Sequence, residues 1–123
     1  MAKRRAGDSD ATPEPVARIW AVVAAIPRGQ ALSYGEVARR AGLPGRARLV
    51  GRALKVAPRQ MKLPWQRVVG ANGRPAFPAG SAPYDEQLRL LAREGLVHRN
   101  GRVALAGGEG ATSLDALLWG QPD

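Results

Sequence analysis

The chain of 123 residues contains no cysteine and a single histidine. The lack of cysteine excludes disulfides, thiolate metal sites and thiol nucleophiles in one step. The histidine, His98, has no acidic or cysteine partner at a spacing typical of catalysis or metal binding, so we expect it to be exposed and structural. Neither a phosphate-binding loop nor a nucleophile elbow is present. We therefore predict no catalytic residue, no metal site and no cofactor.

Long apolar runs are also missing. The longest, roughly Ile19 to Ile26, is far shorter than the ~20 residues of a membrane span, and the basic start at Lys3 does not lead into an apolar signal segment. A chain of this length is expected to form one compact domain. We predict a soluble cytoplasmic monomer with a flexible charged tail at 1–12, a folded domain at 13–106, and a linker with a short amphipathic segment at 107–123.

Acidic residues are scarce in the middle of the chain. Residues 16–75 contain twelve basic residues and one acidic residue, a net charge of +11, whereas the whole chain has a net charge of +9. A block with this much positive charge repels itself unless a polyanion offsets it, and DNA or RNA is the commonest such partner. The alternative is a solvated basic protein with no specific partner.

A helical pattern begins after Pro13. The apolar residues from Val16 to Val23 recur at the spacing of one helix face, which predicts a helix that ends near Ile26 and places Trp20 in the core.

The segment from Ser33 to Gly45 has the pattern of a helix followed by a tight turn. Ser33 and Glu36 fit the S-x-x-E capping box, in which the serine hydroxyl and the glutamate carboxylate each satisfy a backbone amide. The helix should stop at Gly42, before a turn that leads into another helix. This is the layout of a helix-turn-helix. The residues of the short helix that should face the core are Val37, Ala38 and Ala41.

The helix predicted from Arg46 to Ala57 has one apolar and one basic face. Its buried stripe comprises Ala47, Val50, Ala53, Leu54 and Ala57, and its other face carries Arg48, Gly51, Arg52, Lys55 and Arg59. A helix that reads base edges in the major groove should project long polar side chains. Small residues between cations instead let a backbone come close, which suits the minor groove and sequence-independent binding.

The stretch from Leu63 to Gly70 combines a proline, an aromatic residue, an amide and a cation with a β-branched pair. Pro64 fixes its own φ and favours an extended Leu63, while Val68-Val69 favours a strand. We therefore expect Trp65-Gln66-Arg67 to be held rigidly at a turn into a sheet.

Turns and a last helix should follow this strand. Asn72-Gly73 favours a tight turn, and residues 75–80 favour an irregular loop. A helix should begin near Ser81 and close at Gly95, and residues 96–105 should form a two-stranded hairpin, the wing of the domain. The residues of this helix that should face inward are Leu88, Leu91 and Ala92.

Several motifs in this order resemble those of the O6-alkylguanine-DNA alkyltransferases, over about residues 26–95. They are Ile26-Pro27-Arg28-Gly29, Ser33-Tyr34-Gly35-Glu36, Leu43-Pro44-Gly45, Arg48 to Leu54, Pro64 to Val69, and Leu90 to Gly95. The resemblance implies a mainly α-helical DNA-binding domain with small β elements, of the winged helix-turn-helix type. Trp65 stands where the enzymes carry the acceptor cysteine, which is the mark of the non-enzymatic alkyltransferase-like proteins. Gln66 departs from the histidine that is usual in both groups.

The resemblance implies roles for two residues in base flipping. Tyr34 should press on the phosphate beside the lesion and help to rotate the nucleotide out of the duplex. Arg48 should enter the stack in place of the extruded base, because a planar guanidinium can stack on bases and bond the orphan partner. The other residues expected to bind DNA are Ala47, Gly51, Arg52 and Lys55.

The lesion pocket implied by the resemblance surrounds Trp65. The indole has no nucleophile but can offer an apolar face to an alkyl group, and Gln66 cannot relay a proton. Glu94 matches the glutamate that helps to polarise the cysteine in the enzymes, and Gln66 can still hold a hydrogen-bond network around Arg67 and Glu94. Alkyl transfer should therefore be absent. The predicted pocket comprises Pro64, Trp65, Gln66, Arg67, Val69, Arg74, Phe77 and Glu94.

The resemblance thus implies a non-catalytic sensor of O6-alkylguanine in double-stranded DNA. It would bind the minor groove, flip the damaged base and direct it to nucleotide excision repair proteins, and it would be nucleoid-associated when bound. One alternative is a winged-helix regulator that prefers a sequence of intact duplex. Another is an interaction module that uses residues 114–119 and binds DNA no better than its charge predicts.

Overall fold

The computed structural model describes residues 12–106, and over this range no helix has the length and apolarity needed to cross a membrane. In this part of the chain the elements are α1 (Glu14–Ala24), β1 (Leu32–Ser33), α2 (Tyr34–Arg40), α3 (Ala47–Lys55), β2 (Val68–Val69) and α4 (Ala82–Arg93). The structure is mainly helical with a small sheet, so the predicted fold class is confirmed. The predicted tail, except for Thr12, and the predicted linker and amphipathic segment lie outside the described residues, and the domain boundaries stay a prediction.

Helix α1 packs its apolar side against α3. Pro15 lies in its first turn, where the missing amide proton of proline costs no hydrogen bond. Ile19 and Val23 are fully buried, and Trp20 packs half-buried against the same core. The Trp20 indole N–H donates to the Ala53 carbonyl of α3 at 2.8 Å. This bond satisfies the polar end of a large aromatic side chain inside the domain.

Helices α2 and α3 form the helix-turn-helix predicted from the sequence. The Ser33 hydroxyl accepts from the Glu36 amide at 3.0 Å, which caps the start of α2. The other half of the predicted capping box is wrong, because the Glu36 carboxylate accepts from Arg39 and Arg40 instead. Gly42 follows α2 with a φ of +80°, a conformation that glycine adopts without strain. The residues predicted to face the core are buried: Val37, Ala38 and Ala41.

Helix α3 is shorter than predicted. It ends at Lys55, and the chain passes through Pro58 into a separate 3₁₀ turn at Arg59–Met61. Proline lacks an amide proton and disfavours helical geometry in the residue before it, so the predicted helical extension beyond Lys55 is wrong. In the predicted apolar stripe, Val50 and Ala53 are buried, whereas Ala47, Leu54 and Ala57 are half-buried.

Strands β1 and β2 pair in parallel, with Leu32 opposite Val68 and Ser33 opposite Val69. The strand at Val68-Val69 confirms the prediction from its β-branched residues. Its partner at Leu32 has no alternating pattern that sequence could reveal, because two residues are too few to show a period. Val68 packs into the core of α1, α2 and α3, and Val69 packs into a second cluster with α4. The small sheet therefore joins the two parts of the core.

Helix α4 begins at Ala82, and the hydroxyl of the preceding Ser81 accepts from the Tyr84 amide and caps its first turn. Its inner face buries Gln87, Leu88 and Leu91. The prediction that Ala92 faces inward is wrong, because Ala92 lies about 100° around the helix from Leu91 and is exposed. Gln87, four residues before Leu91, shares the buried side instead.

The predicted two-stranded hairpin over residues 96–105 is wrong. In this segment, all of which the structure describes, one bridge between Arg99 and Arg102 closes a turn. Beyond the turn, the Val103 amide donates to the Gly73 carbonyl at 2.9 Å rather than extending a ladder back along the segment. The chain satisfies its backbone donors against the rest of the domain, and the wing is reduced to a tight turn.

Candidate nucleic-acid interface

The exposed face of α3 carries cations without partners. Arg48, Arg52 and Lys55 are exposed, and none of the three forms a hydrogen bond or ion pair through its side chain within residues 12–106. In α2, by contrast, Arg39 and Arg40 pair with Glu36. Their hydrogen bonds and charges, that from Arg39 foremost, lower the pKa of Glu36 to about 2. The charge of α3 is therefore available to a polyanion, because phosphates compete with no carboxylate there.

Tyr34 and Gly51 bring the start of α2 against α3 at the edge of this basic face. A Cβ atom added at Gly51 would lie 3.8 Å from Cε2 of Tyr34, so a side chain as small as alanine at this position would already contact the ring. Tyr34 is half-buried, and burial raises the pKa of its hydroxyl. The hydroxyl therefore remains a hydrogen-bond donor at neutral pH. Among the predicted DNA-binding residues, Ala47 is half-buried and begins α3.

Trp65 lies in a 3₁₀ turn that runs directly into β2, as the sequence predicts. The turn spans Trp65–Arg67, and the Arg67 amide donates to the Pro64 carbonyl at 3.0 Å. The indole is half-buried and meets the Phe77 ring edge-to-face, with ring centroids 6.2 Å apart and planes at 87°. The structure thus places Phe77 of the 75–80 loop beside Trp65.

A hydrogen-bond network centred on Glu94 holds this turn. The Glu94 carboxylate accepts from Gln66 Nε2 at 2.8 Å, from Arg67 Nη2 at 3.0 Å and from the Gly29 amide at 2.9 Å. Arg67 also donates through Nη1 to the Ile26 carbonyl at 2.8 Å. Burial raises the pKa of Glu94, but the hydrogen bonds from Arg67, Gly29 and Gln66 outweigh it and lower that pKa to about 2. The carboxylate is therefore ionised at any pH near neutral.

Gln87 is a residue of this site that the sequence analysis missed. Its Nε2 donates to the Gln66 carbonyl at 2.9 Å and to the Val68 carbonyl at 2.8 Å. The side chain is buried, and Oε1 has no hydrogen-bond partner within the described structure. A helical projection could have found it, because Gln87 is the polar residue four positions before Leu91 on the inner face of α4.

A cleft of about 410 Å³ opens beside Trp65. This volume is within the ~300–1,000 Å³ typical of ligand pockets. Its other lining residues come from the end of α3 and the connector to the Trp65 turn: Leu54, Ala57, Pro58, Arg59, Lys62 and Leu63. The indole is therefore not sealed in the core, and one side of it faces space that a ligand can occupy.

The remaining predicted pocket residues do not line this cleft. Val69 is fully buried behind the turn. Arg74 donates through Nη1 to the Asn100 carbonyl at 2.9 Å, which ties the turn before the loop to the reduced wing.

His98 is exposed, and its Nδ1 accepts from the Gly101 amide at 2.8 Å, a structural contact. Over residues 12–106 there is no group of three or more potential metal ligands.

The fold and the site define a helix-turn-helix DNA-binding domain with an aromatic cleft next to its basic helix. Residues 14–96 match the family described as 6-O-methylguanine DNA methyltransferase, DNA binding domain, and the chain belongs to this family. The resemblance found from the sequence motifs is thereby confirmed.

Named relatives and a solved complex extend this comparison. The chain is 42% identical over 89 residues to a DNA base-flipping protein of Vibrio parahaemolyticus, which covers 72% of the chain and 87% of that protein. It is 35% identical over 79 residues to alkyltransferase-like protein 1 of Schizosaccharomyces pombe, covering 64% of the chain and 73% of that protein. The crystal structure of S. pombe Atl1 in complex with damaged DNA containing O6-carboxymethylguanine superposes with a TM-score of 0.62 at 32% identity, over 76% of the chain and 89% of Atl1.

Proposed function

We propose that this protein is a non-catalytic sensor of O6-alkylguanine lesions in DNA. It binds the minor groove through α3, flips the damaged nucleotide, holds it beside Trp65 and presents the complex to nucleotide excision repair.

One observation carries this proposal. In a chain without cysteine, a half-buried indole lines a cleft, on a turn that the Glu94 network holds in place. An indole cannot accept an alkyl group, but its apolar face can pack against one or stack on a base. Such a site favours a reversible grip on the lesion over transfer of the alkyl group.

The basic helix supplies the complementary part of the proposal. In it, Tyr34 donates to a phosphate and Arg48 occupies the gap left by the flipped base, since flipping costs a few kcal/mol that such contacts must offset. Gly51 lets the backbone of α3 approach the sugar-phosphate walls of the minor groove. The names of two relatives, a DNA base-flipping protein and Atl1 bound to O6-carboxymethylguanine DNA, support both lesion binding and base flipping.

The test compares one duplex with and without O6-methylguanine, in two unrelated sequence contexts, by competitive fluorescence polarisation. A sensor prefers the lesion in both contexts, whereas a winged-helix regulator prefers one context whether or not the lesion is present. The same mixtures, prepared with a radiolabelled methyl group, should leave all label on DNA. Addition of the protein to a reconstituted excision nuclease should change the rate of incision at the lesion if the repair coupling is correct.

A further inference from the structure

We propose that the cleft beside Trp65 selects O6-alkyl groups that end in an anion over neutral groups of the same size, through Arg59 and Lys62. This inference rests on the proposed function, because the cleft meets such a group only if the flipped guanine is held beside Trp65.

The lining of the cleft divides into an apolar wall and a cationic part. Leu54, Leu63 and the indole of Trp65 provide surface on which methylene groups can be buried. Arg59 and Lys62 are the charged members of the lining, and no acidic residue lines it. A substituent with an apolar stem and an anionic end matches both parts, whereas a purely apolar one matches only the wall.

Arg59 and Lys62 are not occupied elsewhere. Both are exposed, and neither side chain has a hydrogen bond or ion pair within residues 12–106. The sequence from 37 to 84 contains no aspartate or glutamate, so the segment that forms the cleft carries no carboxylate to repel an anion. A carboxylate entering the cleft therefore gains a charge-assisted contact without displacing an existing pair.

The backbone conformation at Lys62 also supports a binding site in this cleft. Lys62 has a φ of +49°, in the left-handed region that non-glycine residues rarely adopt. Its amide donates to the Arg59 carbonyl at 3.0 Å and closes the 3₁₀ turn, so the two cations are held on one short turn. Backbone strain of this kind persists where the surroundings enforce it and concentrates at binding sites.

The experiment uses the full-length protein and one duplex carrying guanine, O6-methylguanine, O6-carboxymethylguanine or O6-carbamoylmethylguanine. The last two substituents have nearly the same size, but the first is an anion and the second is a neutral amide. We expect the carboxymethyl duplex to bind about two- to fivefold tighter than the carbamoylmethyl duplex, the range of a partly exposed ion pair. This ratio should fall as ionic strength rises.

Two variants test the assignment against a matched control. Lys62→Met keeps the length of the side chain and should bring the ratio of the carboxymethyl to the carbamoylmethyl duplex close to one, while the preference for O6-methylguanine over guanine persists. Arg59→Gln should lower the same ratio. Lys55→Met removes an exposed cation of α3 that does not line the cleft, and it should weaken all four duplexes alike without changing the ratio.

The outcomes separate this inference from the proposed function. Equal binding of the two isosteric lesions by the unmodified protein, with the methylguanine preference intact, overturns the anion selection alone. Equal weakening of all four duplexes by Lys62→Met makes Lys62 a phosphate contact and also overturns it. If the unmodified protein binds all four duplexes with the same affinity, both the proposed function and the anion selection are overturned.

Discussion

The Glu94 carboxylate lies along the guanidinium of Arg67, with Nε 3.0 Å from Oε1 and Nη2 3.0 Å from Oε2. The Glu94 side chain is 4% exposed and that of Arg67 is 16% exposed, so this pair is far better shielded from solvent than a surface salt bridge. Glu94 follows α4 and Arg67 precedes β2, and the bidentate pair therefore fixes the Trp65 turn against the end of α4.

Replacement of Glu94 by glutamine should damage both stability and recognition. It leaves the Arg67 guanidinium without its counter-ion, and we expect the free energy of unfolding to fall by about 3 kcal/mol in urea denaturation. The preference for O6-methylguanine should fall with it, because the Trp65 turn loses its support. Glu86→Gln, on the exposed side of α4, is the control and should stay within about 0.5 kcal/mol of the original protein. Unchanged stability of Glu94→Gln would show that the pair is not needed to hold the turn.

Stability should fall in acid because of Glu94 and Glu36. The pKa of each is lowered from 4.5 to about 2 in the folded protein. A carboxyl with a depressed pKa contributes stability above its unfolded value, and that contribution is lost as pH falls toward the folded value. The free energy of unfolding should therefore decrease between about pH 4.5 and about pH 2. Denaturation at several pH values checks this, and Glu94→Gln should show a shallower dependence than the original protein.

Gln87→Met should show whether Gln87 positions the Trp65 turn for lesion binding or only stabilises the fold. The substitution removes the donors to the Gln66 and Val68 carbonyls but also removes the unsatisfied Oε1. Since these effects partly cancel, we expect a loss of about 2 kcal/mol in urea denaturation. The preference for the lesion should decrease, while the affinity for undamaged duplex should change by less than about twofold, or about 0.4 kcal/mol. The exposed Gln30→Met provides the control, and an equal loss of binding to both duplexes would argue that Gln87 supports only the fold.

Arg48→Ala and Arg52→Ala should act differently on DNA binding. Both residues are exposed cations of α3, so both variants should bind undamaged duplex more weakly and with a smaller salt dependence. If Arg48 fills the gap left by the flipped base, its loss should also reduce the preference for O6-methylguanine by about tenfold, on the scale of a few kcal/mol for base flipping. Arg52→Ala should leave that preference unchanged. Preservation of the preference in Arg48→Ala would reject the assignment of the intercalating residue.

The helices that form the core could be predicted because their apolar residues repeat with the helical period. The turn at Trp65 could also be predicted, since Pro64 and the Val68-Val69 pair each have strong local preferences. The helix predicted to end at Ala57 stops at Lys55, because the apolar spacing continues to Ala57 while Pro58 disfavours helical geometry in the residue before it. Most of the elements of the fold therefore follow from local preferences of the chain.

What the sequence could not reveal depends on contacts between distant residues. The Val103 amide donates to the Gly73 carbonyl rather than to a partner within residues 96–105. The local sequence pattern of a hairpin cannot show that a distant carbonyl is available to accept this hydrogen bond. Gln87 acts through carbonyls about twenty positions away, at Gln66 and Val68. The cleft combines residues of α3 and of the connector after it, and its cations at Arg59 and Lys62 are recognised as a pair only once the 3₁₀ turn is known.

The parallel pairing of β1 and β2 determines how the start of α2 is positioned relative to the Trp65 turn. Ser33, opposite Val69, immediately precedes Tyr34, and Val68, opposite Leu32, immediately follows the turn that carries Trp65. A shift of the pairing register by one residue would move Tyr34 by about 3.3 Å relative to the Trp65 indole. It would also turn the Val68 and Val69 side chains to the opposite face of the sheet. The register of this pairing therefore sets the position of Tyr34 relative to Trp65, the two residues to which the proposed function assigns phosphate contact and lesion binding.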